Sequence, residues 1–239
     1  MVLEKKSVIV SDLAAMFGVT EETIRRDLKA LEEEGVLNRT YGGAYVLDGV
    51  ENEVNLKIRE TIYIESKKNI ASKAIKEIQN GDSIFLDNST TAYYLALLLK
   101  DMRLTVLTNS LKITNALCEK DNIKLITIGG RYHKENDAFY GLATVTALAQ
   151  YNVDKAFISC RSLSMQKGIS DSVEELANLR QSVIKRSNKV YMIADYSKFD
   201  KNSFINTCTF DDIHVVITDK PLSDQWHEFL DTNRVQYLD

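Results

Sequence analysis

The N-terminal part of the chain constrains its local fold through two helical patterns that a single glycine separates. Apolar residues recur at helical spacing on both sides of Gly18, first over residues 11–17 and then over residues 21–34. Thr20 can cap the second helix and Gly35 can end it. Two short helices joined by a tight turn that contains glycine are typical of a helix-turn-helix, which we predict here.

The second helix also has a polar side, which carries both basic and acidic residues. In a helix-turn-helix this helix lies in the major groove, with its N-terminal residues over the base edges. We therefore predict a DNA-contacting surface formed by Glu22, Thr23, Arg25, Arg26 and Lys29. The alternative interpretation is a solvated helix face, because most runs of charged residues behave in that way.

The residues that follow this helix predict a two-stranded wing. Residues 36–40 alternate as a strand, Gly42-Gly43 can form a turn, and residues 44–47 can return as the second strand. This hairpin would carry Arg39 and Tyr41 toward DNA phosphates. Contacts to phosphate fix the register of a protein on DNA, whereas contacts to bases specify the sequence.

The charge balance differs from that of most DNA-binding domains. Residues 1–46 contain six Lys and Arg against eight Asp and Glu, and the whole chain of 239 residues has a net charge of −4. We therefore expect DNA binding to depend on local clusters of cations and on two or more copies of the domain. No apolar stretch approaches the roughly 20 residues of a membrane span, and no signal peptide is evident, so we predict a cytoplasmic protein without membrane contact.

The cysteines and histidines are scattered along the chain. They lack the paired spacing of a zinc site or of a disulfide framework. We therefore predict no metal site and no cofactor, and we interpret the cysteines as small buried apolar residues. The residues concerned are Cys118, Cys160, Cys208, His133, His214 and His227.

Beyond the wing, the pattern predicts a linker and then an α/β domain. Residues 48–60 are polar, acidic and glycine-containing, as linkers tend to be, so we predict domains over residues 1–47 and 61–239. A helix is predicted over residues 62–78, and from residue 83 onward short apolar strands alternate with helices. This alternation predicts a doubly wound, mostly parallel α/β sheet. The predicted strands are residues 83–86, 104–107, 124–128, 155–159, 189–194 and 214–218.

Polar residues, glycines and a lysine follow several of these strands. Ligands of open α/β sheets bind at the carboxyl ends of the strands, so these residues are candidates for one small-molecule site. Hydroxyl groups beside a helix N-terminus suit a phosphate, and a lysine can neutralise its charge. Each element alone is explained by capping or by a turn, but their recurrence at four strand ends favours a shared site. The candidates are Asp87, Asn88, Ser89, Thr90, Thr91, Asn109, Ser110, Gly129, Gly130 and Lys198.

In these motifs the sequence resembles the DeoR family of bacterial transcription regulators over nearly its whole length. The resemblance is carried by residues 19–35, 39–44, 86–91, 104–110, 128–130, 154–157 and 194–199. It implies a winged helix-turn-helix and a sensor domain similar to ribose-phosphate isomerases, in an oligomeric repressor, a dimer or tetramer, of carbohydrate genes. It further implies that a phosphorylated sugar weakens binding to operator DNA. By this resemblance Ser89, Thr90, Thr91 and Lys198 hold the phosphate, while Asn109, Gly129 and Gly130 line the sugar.

The sequence also departs from the family pattern. Only seven residues precede Val8, where the family has a full first helix, so we expect either an upstream start or a DNA-binding domain with incomplete packing. Tyr41 replaces a common histidine in the wing. Asn88-Ser89 replaces a small residue and glycine, and Arg161-Ser162 stands where glycine is common. We expect these last changes to narrow the ligand pocket or to alter its selectivity.

Two alternatives to an effector-gated DNA-binding regulator remain. The first is a sugar-phosphate isomerase, which requires a carboxylate base near the sugar. Asp171, Glu174 and Glu175 are the clustered carboxylates, but we interpret them as capping the helix that follows. The second is a ligand-binding oligomer without DNA activity. We favour the regulator and predict that the chain is not an enzyme.

Overall fold

The computed structural model describes residues 7–40, 42–46 and 55–239. The chain divides into two compact units, Met1–Ile64 and Glu65–Asp239, and each is described by itself. The predicted domain bounds, residues 1–47 and 61–239, stay a prediction. The predicted bounds of the linker at residues 48–60 stay a prediction, since much of that segment lies outside the described residues.

The N-terminal unit combines helices with a three-stranded antiparallel sheet. Its described elements are β1 (Ser7–Ile9), α1 (Val10–Phe17), α2 (Glu21–Glu33), β2 (Asn38–Thr40), β3 (Gly43–Tyr45) and α3 (Leu56–Thr61). The sheet order is β1-β3-β2, so β3 lies between the other two strands. Thr20 caps α2, because its hydroxyl oxygen accepts a hydrogen bond from the backbone N–H of Thr23 at 3.3 Å. The predicted helix-turn-helix and hairpin are therefore present.

The core of this unit fixes which side of α2 faces solvent. Ile24 and Leu28 of α2 pack in one apolar cluster with Leu13 and Ala14 of α1, and Leu31 is partly buried against it. Burial of this stripe leaves the charged side of α2 exposed. The predicted amphipathic pattern therefore positions the candidate DNA-binding residues on the accessible side.

Three details of the unit differ from the sequence prediction. Gly43 lies in β3 rather than in the turn, and an added Cβ would meet the Val8 carbonyl oxygen at 2.1 Å, so the close approach of β1 requires glycine. Phe17, the last apolar residue of the first predicted helical pattern, is 57% exposed, because it is the last residue of α1, beside the Gly18 corner. Helix α3 occupies part of the segment predicted as linker.

The second unit alternates strands and helices along the chain. Its strands are β4 (Ser83–Leu86), β5 (Leu104–Thr108), β6 (Ile123–Thr127), β7 (Arg131–His133), β8 (Ala138–Tyr140), β9 (Val153–Ile158), β10 (Ser162–Ser164), β11 (Gly168–Asp171), β12 (Ser187–Ile193), β13 (Ile205–Cys208), β14 (Val215–Ile217) and β15 (Gln236–Leu238). Its helices are α4 (Ile64–Ala74), α5 (Thr90–Leu98), α6 (Leu111–Leu117), α7 (Leu142–Leu148), α8 (Glu174–Ile184) and α9 (Asp224–Thr232).

The central sheet of this unit has seven strands in the order β15-β14-β12-β9-β4-β5-β6. Every neighbouring pair in it is parallel. The six strands predicted from apolar runs are β4, β5, β6, β9, β12 and β14, so the predicted doubly wound α/β fold is confirmed. Buried apolar clusters cover both faces of the sheet, as expected for an all-parallel arrangement.

The chain order of the sheet reverses beside β4. The chain runs outward through β5 and β6 and then returns to β9 on the other side of β4. Leu86, at the end of β4, is paired with Thr108 of β5 and with Phe157 of β9. Ligands of open α/β sheets bind outside the carboxyl ends of the strands at such a switch point. The fold therefore brings the loops after β4, β5 and β9 together.

Two smaller sheets were not predicted from the sequence. Strands β10, β11 and β13 form an antiparallel sheet, and β7 and β8 form a hairpin. The hairpin adjoins the loop after β5, because the backbone N–H of Phe139 donates to the carbonyl oxygen of Asn109 at 2.9 Å. The hairpin is thus part of the surroundings of the switch point.

Within the described part of the chain, no helix has the length and apolarity that a membrane crossing requires. Over the same residues, His, Cys, Asp and Glu side chains form no group of three or more that could hold a metal ion. The prediction of buried cysteines is correct for Cys160 but wrong for Cys118, which is exposed. Cys118 directly follows α6, at the surface end of that helix.

Candidate functional sites

The polar side of α2 carries cations that each lie beside a carboxylate. A nitrogen of the Arg25 guanidinium lies 2.6 Å from a carboxylate oxygen of Glu21, one turn earlier on the helix. Arg26 lies 3.7 Å from Asp27 and is the most exposed of these cations, at 78%. Exposed ion pairs of this kind contribute little stability, so the cations remain available to an anionic partner.

The other candidates on α2 follow the same pattern of exposure. Lys29 lies 3.7 Å from Glu33 and is exposed. Glu22 is exposed in the first turn, and Thr23 is half-buried, with its hydroxyl 3.0 Å from that of Thr20. The structure therefore places all five predicted α2 residues outside the core of the unit.

Of the two wing residues predicted to contact DNA, the structure describes Arg39 but not Tyr41. Arg39, at the centre of β2, does not point freely into solvent, because its Nε donates to a carboxylate oxygen of Glu32 at 2.8 Å. Its Nη1 also donates to the backbone oxygen of Arg25 at 3.3 Å. The Tyr41 prediction lies outside the described residues.

In the second unit, Asp87 anchors the loop that follows β4. Its side chain is fully buried and accepts hydrogen bonds from the backbone N–H groups of Ser89 at 3.0 Å and Ser159 at 2.9 Å. The guanidinium of Arg180, on α8, donates to the same carboxylate at 2.6 Å. These contacts occupy Asp87, so its geometry supports a role in holding the loop rather than in touching a ligand.

The residues after Asp87 form the start of α5. The Ser89 hydroxyl oxygen accepts a hydrogen bond from the backbone N–H of Ala92 at 3.1 Å and so caps the helix. Thr90 and Thr91 are buried in its first turn. The first N–H groups of a helix lack partners within the helix and attract anions, so this terminus has the polarity that a phosphate requires.

Two buried asparagines lie between the strand ends and the β7–β8 hairpin. The side-chain amide of Asn88 donates to the hydroxyl of Tyr140 at 2.7 Å, and that of Asn109 donates to the carbonyl oxygen of Phe139 at 3.1 Å. In both asparagines the Oδ1 atom is buried without a hydrogen-bond partner. A buried acceptor without a donor costs about 1–3 kcal/mol, so a ligand that donated hydrogen bonds here would be favoured.

The remaining candidates near β5 and β6 have clear structural roles. Ser110 caps α6, since its hydroxyl oxygen accepts from the backbone N–H of Ile113 at 3.3 Å. Gly130 has φ 153°, and an added Cβ would lie 2.0 Å from the hydroxyl oxygen of Thr144. Gly129 is exposed, with open space where a Cβ would point. Of these two glycines, only Gly130 is therefore required by a close approach.

Lys198 is brought toward the same edge of the sheet from the segment after β12. It ends a short 3-10 turn, Tyr196–Lys198, which Asp195 caps. Burial raises the pKa of the Cys160 thiol, and the charge of Lys198 opposes that rise. Since Cys160 closely follows β9, the positive charge of Lys198 acts near the switch point.

Sequence reasoning missed the role of Arg180. Its guanidinium is buried and forms a second ion pair with Asp171 of β11, which also accepts from the backbone N–H of Arg161 and the hydroxyl of Thr207. Burial alone would lower the pKa of Arg180, but the two carboxylates outweigh that effect and raise it. The interpretation of Asp171 as a helix cap is therefore wrong, because Arg180 holds it.

The other carboxylates considered for isomerase chemistry lie at the start of α8. Glu174 and Glu175 are in its first turn, and Glu175 pairs with Arg131 at 2.8 Å near the surface. Asp171 is committed to the buried pair with Arg180. Asp171 and Glu175 are therefore engaged in ion pairs rather than free to act as a catalytic base.

Two family models match the chain in the order of its two units. A DeoR-like helix-turn-helix domain matches residues 1–50, and a DeoR C terminal sensor domain matches residues 62–220. The chain belongs to the DeoR family. The resemblance noted from the motifs is thereby confirmed.

Relatives of this DeoR-family chain match it over nearly its full length. An uncharacterized HTH-type transcriptional regulator, YulB, of Bacillus subtilis is 39% identical over 97% of this chain and 90% of the relative. An L-fucose operon activator of Haemophilus influenzae is 33% identical over 97% and 92%. A lactose phosphotransferase system repressor of Staphylococcus epidermidis is 32% identical over 92% and 88%.

A solved structure supports the fold of the DeoR-family chain alone. The eIF2B delta subunit of Chaetomium thermophilum aligns with a TM-score of 0.51 and 14% identity, over 67% of this chain and 57% of that chain. The named DeoR relatives are regulators, so the chain is a transcription regulator with a DNA-binding domain, and not an enzyme. This confirms the regulator over the isomerase alternative.

Proposed function

We propose that this DeoR-family protein represses carbohydrate-metabolism genes and releases its operator DNA when a phosphorylated sugar binds the second unit. The observation that carries the proposal is the buried pair of unpartnered acceptors, Asn88 and Asn109 Oδ1, beside the N-terminus of α5. Hydroxyl groups of a sugar can donate to the first, and the helix terminus can receive a phosphate. A sugar phosphate combines both chemistries in one molecule.

The DNA-binding half of the proposal rests on α2. Its exposed N-terminal residues are the ones that a recognition helix presents to base edges and phosphates. We assign this role to Glu22, Thr23, Arg25, Arg26 and Lys29, with the wing beside them. The names of the two sugar-system relatives support a carbohydrate-related target for the regulation.

The effector half rests on three strand ends. Ser89, Thr90 and Thr91 would hold the phosphate with Lys198, while Asn109 and the neighbouring segments line the sugar. The same proposal includes Asn88, Ser110, Gly129 and Gly130 as surrounding residues, and Asp87 as the anchor of the phosphate loop. Such a regulator acts on chromosomal DNA, so we place it in the cytoplasm as a homodimer or homotetramer.

Fluorescence anisotropy with a labelled duplex tests the proposal. A duplex selected from random sequences for binding to the protein provides the probe, and phosphorylated sugars are added at increasing concentration. We expect tight, sequence-specific binding that one sugar phosphate weakens, while its unphosphorylated parent sugar has no effect. Absence of specific duplex binding, including for a chain extended upstream of Met1, would contradict the proposal.

Two controls address the other interpretations. Incubation with ribose 5-phosphate should give no isomerised product, and measurable turnover would support an enzyme instead. Circular dichroism and thermal melting of the full chain should show two transitions, with the N-terminal unit folded. A reporter gene behind the selected operator then decides the direction of regulation, since the named relatives include both an activator and a repressor.

A further inference from the structure

The wing of the N-terminal unit is joined to α2 through one carboxylate. Glu32, in the last turn of α2, accepts the backbone N–H of Arg39 at 3.0 Å on one oxygen and its Nε at 2.8 Å on the other. The same guanidinium donates from Nη1 to the backbone oxygen of Arg25 at 3.3 Å. Arg39 of β2 thus binds α2 at two positions, the Glu32 carboxylate and the Arg25 backbone oxygen.

This geometry differs from the other ion pairs on the helix. The pairs of Arg25, Arg26 and Lys29 join residues of α2 to each other, whereas Glu32 joins α2 to a strand seven residues away in sequence. Both carboxylate oxygens are used, and one of them binds the backbone of β2 directly. Hydrogen bonds from the Arg39 side chain and backbone hold the pKa of Glu32 below its ordinary value.

The negative charge of Glu32 allows an experiment to distinguish two possible effects of this residue on DNA binding. A negative charge beside a DNA-binding helix repels phosphates, so simple electrostatics predicts that its removal strengthens DNA binding. A carboxylate that fixes the wing predicts the opposite, because a displaced wing no longer reaches the DNA. The two roles of Glu32 therefore give effects of opposite sign.

We propose that Glu32 is a positioning residue for DNA binding, which holds Arg39 and strand β2 against α2 so that the wing and the recognition helix meet DNA together. Arg39 then neutralises a DNA phosphate only while Glu32 holds it in place, and not independently of that carboxylate. The inference rests on the proposed DNA-binding function and goes beyond it, because it assigns a role to an acidic residue.

The test compares Glu32→Gln with Glu34→Gln in the full chain. Both substitutions remove one negative charge from the same end of α2, but the exposed Glu34 side chain makes no contact that the structure describes. Operator affinity is measured by anisotropy on the duplex selected with the wild-type protein. We expect Glu32→Gln to weaken binding about 10-fold, which is the typical effect of removing one side chain that contacts DNA. We expect Glu34→Gln to leave binding unchanged or to strengthen it.

The salt dependence separates positioning from a decrease in the folded fraction. A less folded variant binds as a smaller active fraction with an unchanged slope of log K against log salt. A displaced wing instead lowers that slope by about 0.9 for each phosphate that the protein no longer neutralises. A lower slope for Glu32→Gln supports the inference, whereas an unchanged slope, or equal effects of the two substitutions, would overturn it.

A double-mutant cycle tests whether Arg39 acts through Glu32. We expect Glu32→Ala, Arg39→Ala and the double variant to show the same decrease in affinity and in salt slope. If Arg39 contacts phosphate independently, Arg39→Ala weakens the Glu32→Ala protein further, and the inference is wrong. Failure of the wild-type protein to bind any duplex contradicts the proposed function, whereas normal wild-type binding with an inert Glu32 contradicts only this inference.

Discussion

The buried ion pairs of Arg180 give a prediction whose magnitude follows from burial. Arg180 is 4% exposed, its partner Asp87 is 0% exposed, and the closest atoms of this pair are 2.6 Å apart. Arg180→Met would leave the carboxylates of Asp87 and Asp171 buried without their cation. Breaking one partner of a buried pair costs about 3–5 kcal/mol, so we expect the free energy of unfolding of the second unit to fall by that amount.

A matched control uses the same substitution at the surface. Arg131 pairs with Glu175 at 2.8 Å, but the two side chains are 68% and 40% exposed. Arg131→Met should therefore cost about 0–1 kcal/mol, because solvent screens an exposed pair. The two substitutions delete similar ion pairs and differ chiefly in burial.

Urea unfolding followed by tryptophan fluorescence measures both variants. Trp226 is the only tryptophan and lies buried against Phe210 and Phe229 in the second unit, so its emission reports on that unit. Adding Asp87→Asn and Asp171→Asn to Arg180→Met should recover part of the stability, since it removes the uncompensated charges. Decreases for Arg180→Met and Arg131→Met that agree within about 1 kcal/mol would refute the reasoning.

Three further predictions concern the DNA-binding surface, the effector site and the hairpin. Arg26→Ala should weaken operator binding about 10-fold and lower the salt slope by about 0.9, measured by anisotropy; an unchanged slope would exclude a phosphate contact. Lys198→Ala should reduce the thermal shift that a phosphorylated sugar produces without changing operator affinity, whereas Lys220→Ala, whose ammonium lies 3.5 Å from the centre of the Tyr196 ring, should change neither. Gly130→Ala should lower the free energy of unfolding by about 1–3 kcal/mol, because its Cβ would clash with Thr144, while Gly129→Ala should cost far less. Equal stability of these two glycine variants would contradict the packing argument.

The strands that the sequence revealed are those that contain an apolar run, and most of them are largely buried, although β6 at the sheet edge is partly exposed. A strand such as Val215–Ile217 is apolar at every position, because helices cover both sides of a parallel sheet. Two of the missed strands lack that signal. Ser162–Ser164 alternates serine with leucine, and Gln236–Leu238 begins with a polar residue at the sheet edge. Apolar periodicity does not report such short, partly polar strands, even though β10 pairs with the nearby strand β11.

The candidate effector site was predictable only in part. The rule for strand ends identified Ser89 and Asn109 before any geometry was known, because parallel strands share one carboxyl edge. The partner of Asp87 was not predictable by spacing, since Arg180 follows it by 93 residues. A local signal did exist. Arg180 lies three residues from both Ala177 and Val183, on the buried side of α8, where a charged residue requires a partner.

The charge arrangement of α2 has a consequence for how many copies bind DNA. Arg25, Arg26 and Lys29 each lie beside a carboxylate, so one copy presents little uncompensated positive charge. Non-specific affinity grows with the number of phosphates that a protein neutralises, and it is therefore low for a single copy. Two copies joined through an oligomer add their contacts on a symmetric operator, because the second binding event is intramolecular. We therefore expect the N-terminal unit, when separated from the second unit, to bind operator weakly. We expect the full chain, if it assembles as proposed, to bind operator tightly but other sequences poorly.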